Sequence, residues 1–523
     1  MASSIEDIQA GIQSLNIRPT LPCANNSTDT PPCRNTGSHA CSGCLLVART
    51  WQPLWKREQR AQVRKVDAKR LWSDCHAIDF IKLDENEGSD FQGPFDILIT
   101  ESKEARDFIL SVVNLPETFR GPLNVVLNEL NHVVAIRNVI LLLIFCVEED
   151  PVKAAEYALH TWYSLLLTDS CYKLLKKVKS VLQGLYDEIK TEPGDDSAPA
   201  TKRVRFCKGS IDITLSRGQW LYLPMYAWLN EIEDKMSKSY FQSFRRRQLS
   251  TPAANDLLHF TLEPLQPYRR VNKMKFRKDG MLLPFGQSRE DFTVPNPLLV
   301  NMGSMLDDMS VFSNSWPLMG WSNKSFHEYS MGLAKNDEYG KLNHYLRDIF
   351  TQFHQRIRAI PINVAITNIT SRLALSSSFE KGRFNRISHN HIVDLSSDDI
   401  QEPLKCFAPL LQPASVNRHA TLITNTLYTP GELSSSGDGF RYLYPFPHKL
   451  DTYFNEFLDT FKIEKLAKDV GLYMKNRNTI VDPWHYKIPG VNTAKDSCGL
   501  AIPISAVKER QAVFDKLVEW GRL

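Results

Sequence analysis

The stretch FDILIT, Phe95 to Thr100, decides the fold together with the three segments that succeed it: EARDFILSVV (Glu104 to Val113), LNVVLNE (Leu123 to Glu129) and VVAIRNVILLLIFCV (Val133 to Val147). FDILIT and LNVVLNE are short apolar runs with polar borders, the right length for buried strands and too short for helices. The segments after each of them read as helices, the second of them buried. Strand, helix, strand, helix opens a parallel α/β sheet.

The same alternation returns near the C-terminus. INVAIT (Ile362 to Thr367) is strand-like and FNRISHNHIVD comes after it; DDIQEPLKCFAPLLQP is helix-like and HATLITNTLYT (His419 to Thr429) strand-like. Strands joined through helices imply right-handed crossovers and a mostly parallel sheet covered on both faces. Between the two blocks, Pro151 to Lys190 predicts one long helical stretch, with Leu174, Val178, Val181, Leu185 and Ile189 on one face. EPGDDSAPATK (Glu192 to Lys202) marks a linker at about 191–203, and about 204–325 reads as a large helical and mixed insertion. The expected fold is therefore α/β, a doubly wound mostly parallel sheet spanning 81–523 and interrupted by that insertion.

A chain of 523 residues exceeds one ordinary core, and 42% hydrophobic with 23% charged residues is a globular composition. The formal net charge of +4 points to no nucleic-acid or acidic-membrane partner. The longest apolar run, Val139 to Val147, is far short of the roughly 20 residues that cross a bilayer. MASSIEDIQAGIQSL lacks a basic segment followed by an apolar one, so the expectation is an intracellular protein, cytoplasmic or nuclear. In a reducing compartment, clustered thiols bind metal and isolated ones are buried apolar side chains. Of ten cysteines, Cys23, Cys33, Cys41 and Cys44 cluster in the first 44 residues. They fall in a polar segment, 1–50, that builds no core without a metal. A basic connector, 51–80, carries WQPLWKREQRAQVRKVDAKRLW.

CRNTGSHACSGCLLV resembles the first half of a MYND-type zinc finger, and WQPLW the segment that follows such a finger in a family of fungal proteins. From Leu71 onward, LWSDCHAIDFIKLDENEG, LNELNHVVAIRNVILLLI, FRKDGMLLPFGQSREDFTVPNP, NDEYGKLNHYLRDIF and NRHATLITNTL resemble, in order, the domain of unknown function that follows it. A related domain occurs in dynein axonemal assembly factors. By that resemblance Cys23 and Cys33 stand for the first ligand pair of the finger and Cys41 and Cys44 for the second; the remaining pairs are absent after Val47. Four thiolates can hold one tetrahedral zinc at about 2.3 Å per bond, or remain reduced and free, so the expectation is at most one zinc.

The larger domain is similar to the Rossmann-like fold of S-adenosylmethionine-dependent methyltransferases. That resemblance implies a cofactor site with Glu129 accepting ribose hydroxyls and Arg106 as a ligand-facing cation. Each has a structural alternative: Glu129 satisfied near a helix start or by Arg137, Arg106 pairing at the C-terminal edge of the sheet. Relatives carry Ser-Gly-Asp-x-Arg after the first strand, where this chain has Ser102-Lys103-Glu104-Ala105-Arg106, and in FNRISHNH Asn385 replaces an expected acid. Both departures argue against S-adenosylmethionine binding. No GxSxG, HExxH, GxxxxGK[ST] or GxGxxG is present. YRRVNKMKFRKDG (Tyr268 to Gly280) reads as a charged hairpin. The function expected is a non-catalytic protein-interaction or assembly factor, with a proline-containing peptide as the partner that a MYND finger implies. A methyltransferase is the first alternative and a nucleic-acid binder the second.

Overall fold

The computed structural model describes residues 76–101, 104–226, 238–250, 265–299, 317–329, 334–393, 397–427, 462–482 and 515–523, with isolated positions between 251 and 264 and between 451 and 461. Cys23, Cys33, Cys41, Cys44, Ser102 and Lys103 lie outside the described residues.

In chain order the main elements begin with β1 (Phe95–Thr100), α1 (Arg106–Val113), β2 (Leu123–Asn128), α2 (His132–Val147), α3 (Pro151–Tyr163), β3 (Leu166–Thr168) and α4 (Asp169–Thr191). A hairpin of β4 (Pro199–Phe206) and β5 (Gly209–Ser216) comes next, then α5 (Arg217–Tyr226), α6 (Lys238–Leu249), α7 (Pro267–Asp279) and β6 (Phe292–Pro295). The last third holds α8 (Asn323–His327), α9 (Glu338–Ala359), β7 (Ile362–Thr367), α10 (Arg372–Ser377), β8 (Arg386–Val393), α11 (Ser397–Phe407), β9 (Thr421–Leu427), α12 (Ile463–Asp469), β10 (Leu472–Met474) and β11 (Asp515–Arg522).

Nine of these strands form one sheet in the order β10-β11-β9-β8-β1-β2-β7-β5-β4. The pairs from β9 across to β5 are parallel, whereas β11 runs antiparallel to β9 and β10, and β4 antiparallel to β5. The expected mostly parallel α/β sheet is present. Strand alternation sends Ile97, Ile99, Val125 and Leu127 into one core and Leu98 and Val126 into the other. Buried residues of α1, α2, α3, α4 and α9 fill the first core; Leu375 of α10, Leu404 and Phe407 of α11, and Ile463 and Ala467 of α12 fill the second. Two covered faces explain why β1 and β2 read as near-continuous apolar runs.

Three local readings change. The single helical stretch over 151–190 is two helices. The buried Asn296 Nδ2 donates to the carbonyls of Thr161 (2.9 Å) and Ser164 (2.7 Å) and so ends α3, while Leu166–Thr168 pairs with β6. The second change concerns about 191–203, read as a linker, and the insertion from 204. Pro199–Phe206 is strand, and its hairpin adds β5 in parallel to β7, so this part of the chain completes the sheet edge. Proline is tolerated there because it is the first residue of an edge strand.

The third change is the segment Tyr268 to Gly280, which belongs to a helix and not to a hairpin. Pro267 occupies its first turn, and Gly280, at φ 70°, ends it in the left-handed conformation. Its buried residues are Asn272, Lys273, Phe276 and Arg277, a face too polar to register as an apolar stripe.

Candidate functional site

In a doubly wound sheet, ligands bind outside the C-terminal ends of the strands where the strand order reverses. The chain runs from β1 outward through β2 to β7, then returns to place β8 on the other side of β1. The reversal therefore lies between β1 and β8, with Thr100 paired in register with His389. Around it converge Thr100, Glu101, Asn128, Leu130, Ile369, Thr370, Arg372, Leu375, His389 and Phe407.

These groups bond to one another. Thr100 Oγ1 lies 2.7 Å from His389 Nδ1 and 3.3 Å from the Ser388 carbonyl, both contacts buried. The His389 ring is wholly buried and sits 5.4 Å from the Phe407 ring. Asn128 Oδ1 accepts from Thr367 Oγ1 (2.8 Å) and from the Ile369 amide (2.9 Å), and its Nδ2 donates to the Ile369 carbonyl (3.0 Å). Glu101, the first residue past β1, adopts φ 57°, the left-handed region that non-glycine residues seldom enter. Arg372 Nη1 donates to Glu402 Oε2 at 2.7 Å, with Nη2 4.0 Å from Glu101 Oε1. The space left among them holds about one water molecule.

Glu129 comes directly after β2 and is buried, and its Oε1 accepts the Asn131 amide at 3.2 Å. Asn131 is the N-cap of α2, so the carboxylate sits at a helix start, as its structural alternative expects. Its backbone is held as well: the amide donates to the Thr367 carbonyl at 3.0 Å and the carbonyl accepts from Asn368 Nδ2 at 2.5 Å.

Arg106 opens α1 and is only 2% exposed. Its Nε lies 3.1 Å from Glu104 Oε2, its Nη1 donates to the Gly320 carbonyl, and its guanidinium carbon is 5.9 Å from the centre of the Trp321 ring. Trp321 Nε1 in turn donates to Tyr163 Oη at 2.9 Å. Burial raises the Tyr163 phenol well above its ordinary range, helped by the charge of Glu104. Burial also lowers Arg137, and Glu104 opposes that shift. Arg106 and Glu129 thus follow adjacent strands at one edge, Arg106 in the first turn of α1 within a buried ionic layer and Glu129 just before α2. A second cavity beside that layer, lined by Glu104, Arg137, Asn138 and Trp162 among others, also holds about one water.

Asn385 sits elsewhere. It precedes β8, at the N-terminal end of the parallel strands, where its Oδ1 accepts the Asp96 amide at 2.8 Å and its Nδ2 donates to Gln412 at 3.1 Å. Its identity has no bearing on a ligand site at the opposite edge. The residues that do form the edge beside β1, namely Thr100, His389 and Arg372, were not singled out from the sequence. Thr100 was legible as a strand end. His389 and Arg372 acquire meaning only from the pairing of β8 with β1.

Among the described residues, no group of three or more histidine, cysteine, aspartate or glutamate side chains could hold a metal ion. Nor is any described helix long and apolar enough to cross a membrane. Comparison with curated proteins and with solved structures returned no significant match. A family match does cover β1 to α3, the segment that supplies Thr100, Glu101, Arg106, Asn128 and Glu129 to this edge: residues 71–167 match a domain of unknown function (DUF4470).

Proposed function

We propose that this chain is a non-catalytic protein-interaction or assembly factor built on a methyltransferase-like α/β scaffold. The observation that carries the reading is the packing of the reversal point. A cofactor of the size of S-adenosylmethionine needs a cleft of several hundred cubic ångströms lined by polar groups that await it. Here the described groups at the β1 and β8 ends are bonded to each other, the Glu129 carboxylate accepts a helix-start amide, and the remaining space suits one water. The residues do not fit that cofactor, and no chemical step is derived through it.

The resemblance of the Cys23, Cys33, Cys41 and Cys44 segment to half a MYND finger adds to the reading. It would supply at most one zinc and a preference for a proline-containing peptide. An intracellular setting accords with reduced thiols.

Calorimetric titration and thermal-shift measurement with S-adenosylmethionine test the proposal on the full chain. The expected result is no saturable heat and no stabilisation at micromolar cofactor. Saturable binding would overturn it in favour of a methyltransferase. One observation favours that second reading: Glu101 holds a left-handed backbone immediately after β1, where strain of about 1–2 kcal/mol is a common mark of a binding loop.

A further inference from the structure

We propose that the exposed face of α7, extended by the end of α6, docks an acidic amphipathic protein segment. The two helices are joined at their C-terminal ends by a reciprocal exchange. Arg245 Nη1 donates to the Lys278 carbonyl at 2.9 Å, and Arg277 Nη2 to the Leu249 carbonyl at 2.7 Å. Each helix end is thereby capped by an arginine of the other, and both arginines are buried. Burial pushes Arg245 down to about 10 and lowers Arg277, as expected for guanidiniums consumed by structure.

That junction leaves other cations outside. Arg246 and Arg247 leave α6 next to Arg245, Lys278 follows Arg277, and all three are exposed with no acidic partner among the described residues. Along α7, Val271 and Met274 are 55% and 43% exposed at i, i+3 spacing, with Lys278 one turn further on the same face. Phe285 is 46% exposed beside them, its ring 5.6 Å from Lys275 Nζ. Exposed aliphatic, thioether and aromatic groups flanked by cations fit a partner whose apolar residues alternate with carboxylates.

Nucleic acid fits less well. Val271 and Met274 offer no stacking platform for bases. The inference deepens the interaction-factor reading by giving the partner's chemistry. A negative result here removes this surface alone, whereas saturable cofactor binding removes that reading.

The test is fluorescence anisotropy of the full chain with three labelled probes: a peptide of Glu, Leu and Phe, a peptide of equal charge made of Glu and Ser, and an oligothymidylate. The Glu/Leu/Phe peptide should bind saturably, more tightly than either other probe and less tightly as salt rises. Met274→Asp, and separately Arg246→Glu with Arg247→Glu, should each weaken it about tenfold or more while leaving the melting temperature unchanged, because these side chains are exposed. Lys278→Glu serves as a further variant if either of those lowers the melting temperature. Absence of saturation, equal affinity in the variants, equal affinity for the Glu/Ser peptide, or tighter binding of the oligothymidylate would each overturn the proposal.

Discussion

Replacing Arg106 by alanine separates the two roles open to that residue. At 2% exposure, its guanidinium is matched to Glu104 at 3.1 Å and donates to the Gly320 carbonyl. Truncation leaves the Glu104 carboxylate buried at 2% exposure beside a void. Removing one partner of a buried ion pair costs about 3–5 kcal/mol, since the remaining charge keeps its desolvation penalty and loses the Arg106 charge, with Arg137 still acting on it. The unfolding entropy is about 2.1 cal/mol/K per residue, so a unit of several hundred residues shifts by roughly 1 °C per kcal/mol, and the melting temperature should fall by about 3–5 °C. A residue kept for an absent ligand would behave in the opposite way, and its removal would leave stability unchanged or improve it. Scanning calorimetry of the full chain reads the difference. A cycle with Gly320→Ala adds a geometric check, because a Cβ at position 320 would fall on the Arg106 guanidinium. Gly320→Ala should therefore be costly in the parent and much cheaper in the Arg106→Ala background. A melting temperature within about 1 °C of the parent for Arg106→Ala, or strict additivity in the cycle, would refute the structural assignment.

Glu87 and Arg386 form a bidentate pair at 2.7 and 2.8 Å whose arginine is wholly buried. Burial alone would raise the Glu87 carboxyl, but Arg386 and the hydrogen bonds from Arg386 and Asn417 hold it below its ordinary value of 4.5. A depressed carboxylate contributes stability above the unfolded value and loses it as pH falls through the folded one. Acid melts should therefore steepen below about pH 4.5, and Glu87→Gln should lower neutral stability by about 3–5 kcal/mol while flattening that limb. Thr100→Val removes the hydroxyl bonded to His389 Nδ1 and should cost about 1–3 kcal/mol, read as a lower melting temperature with the same circular dichroism. Glu519, wholly buried, accepts the amides of Thr479, Ile480 and Val481 and pairs with Lys475 at 3.0 Å. Glu519→Ala should expose the 475–482 segment to proteolysis before the rest of the chain, and an unchanged cleavage pattern would count against this. Metal analysis of purified protein should give at most one zinc per chain, released by Cys41→Ser without a change in the main melting transition; two tightly held zincs would contradict the reading of four ligands.

The elements legible in the sequence are those whose neighbours do not matter to their pattern. Phe95–Thr100 and Ile362–Thr367 are strands over their whole expected lengths, and Leu123–Asn128 falls one residue short of its own, because central strands covered on both faces are near-continuous apolar runs. The α/β class results from their alternation with helices. Where the buried face is polar, the pattern fails. Asn272, Lys273 and Arg277 turn inward on α7 because Asn272 Nδ2 finds the Asn336 carbonyl at 2.6 Å and Arg277 finds that of Leu249, partners that lie 64 and 28 residues away. The break between α3 and α4 likewise depends on Asn296, more than 130 residues beyond the carbonyls it caps. The site obeys the same division. Residue types at Glu129 and Arg106 were compatible with a cofactor or with structure, and one amide of Asn131 and one carbonyl of Gly320 favour structure. Local sequence carries hydrophobic periodicity and caps, which depend on neighbours within a turn or two. The partner of a buried charge, and the strand that lies beside β1, depend on which distant backbone the fold brings within about 3 Å, and only the tertiary structure decides that.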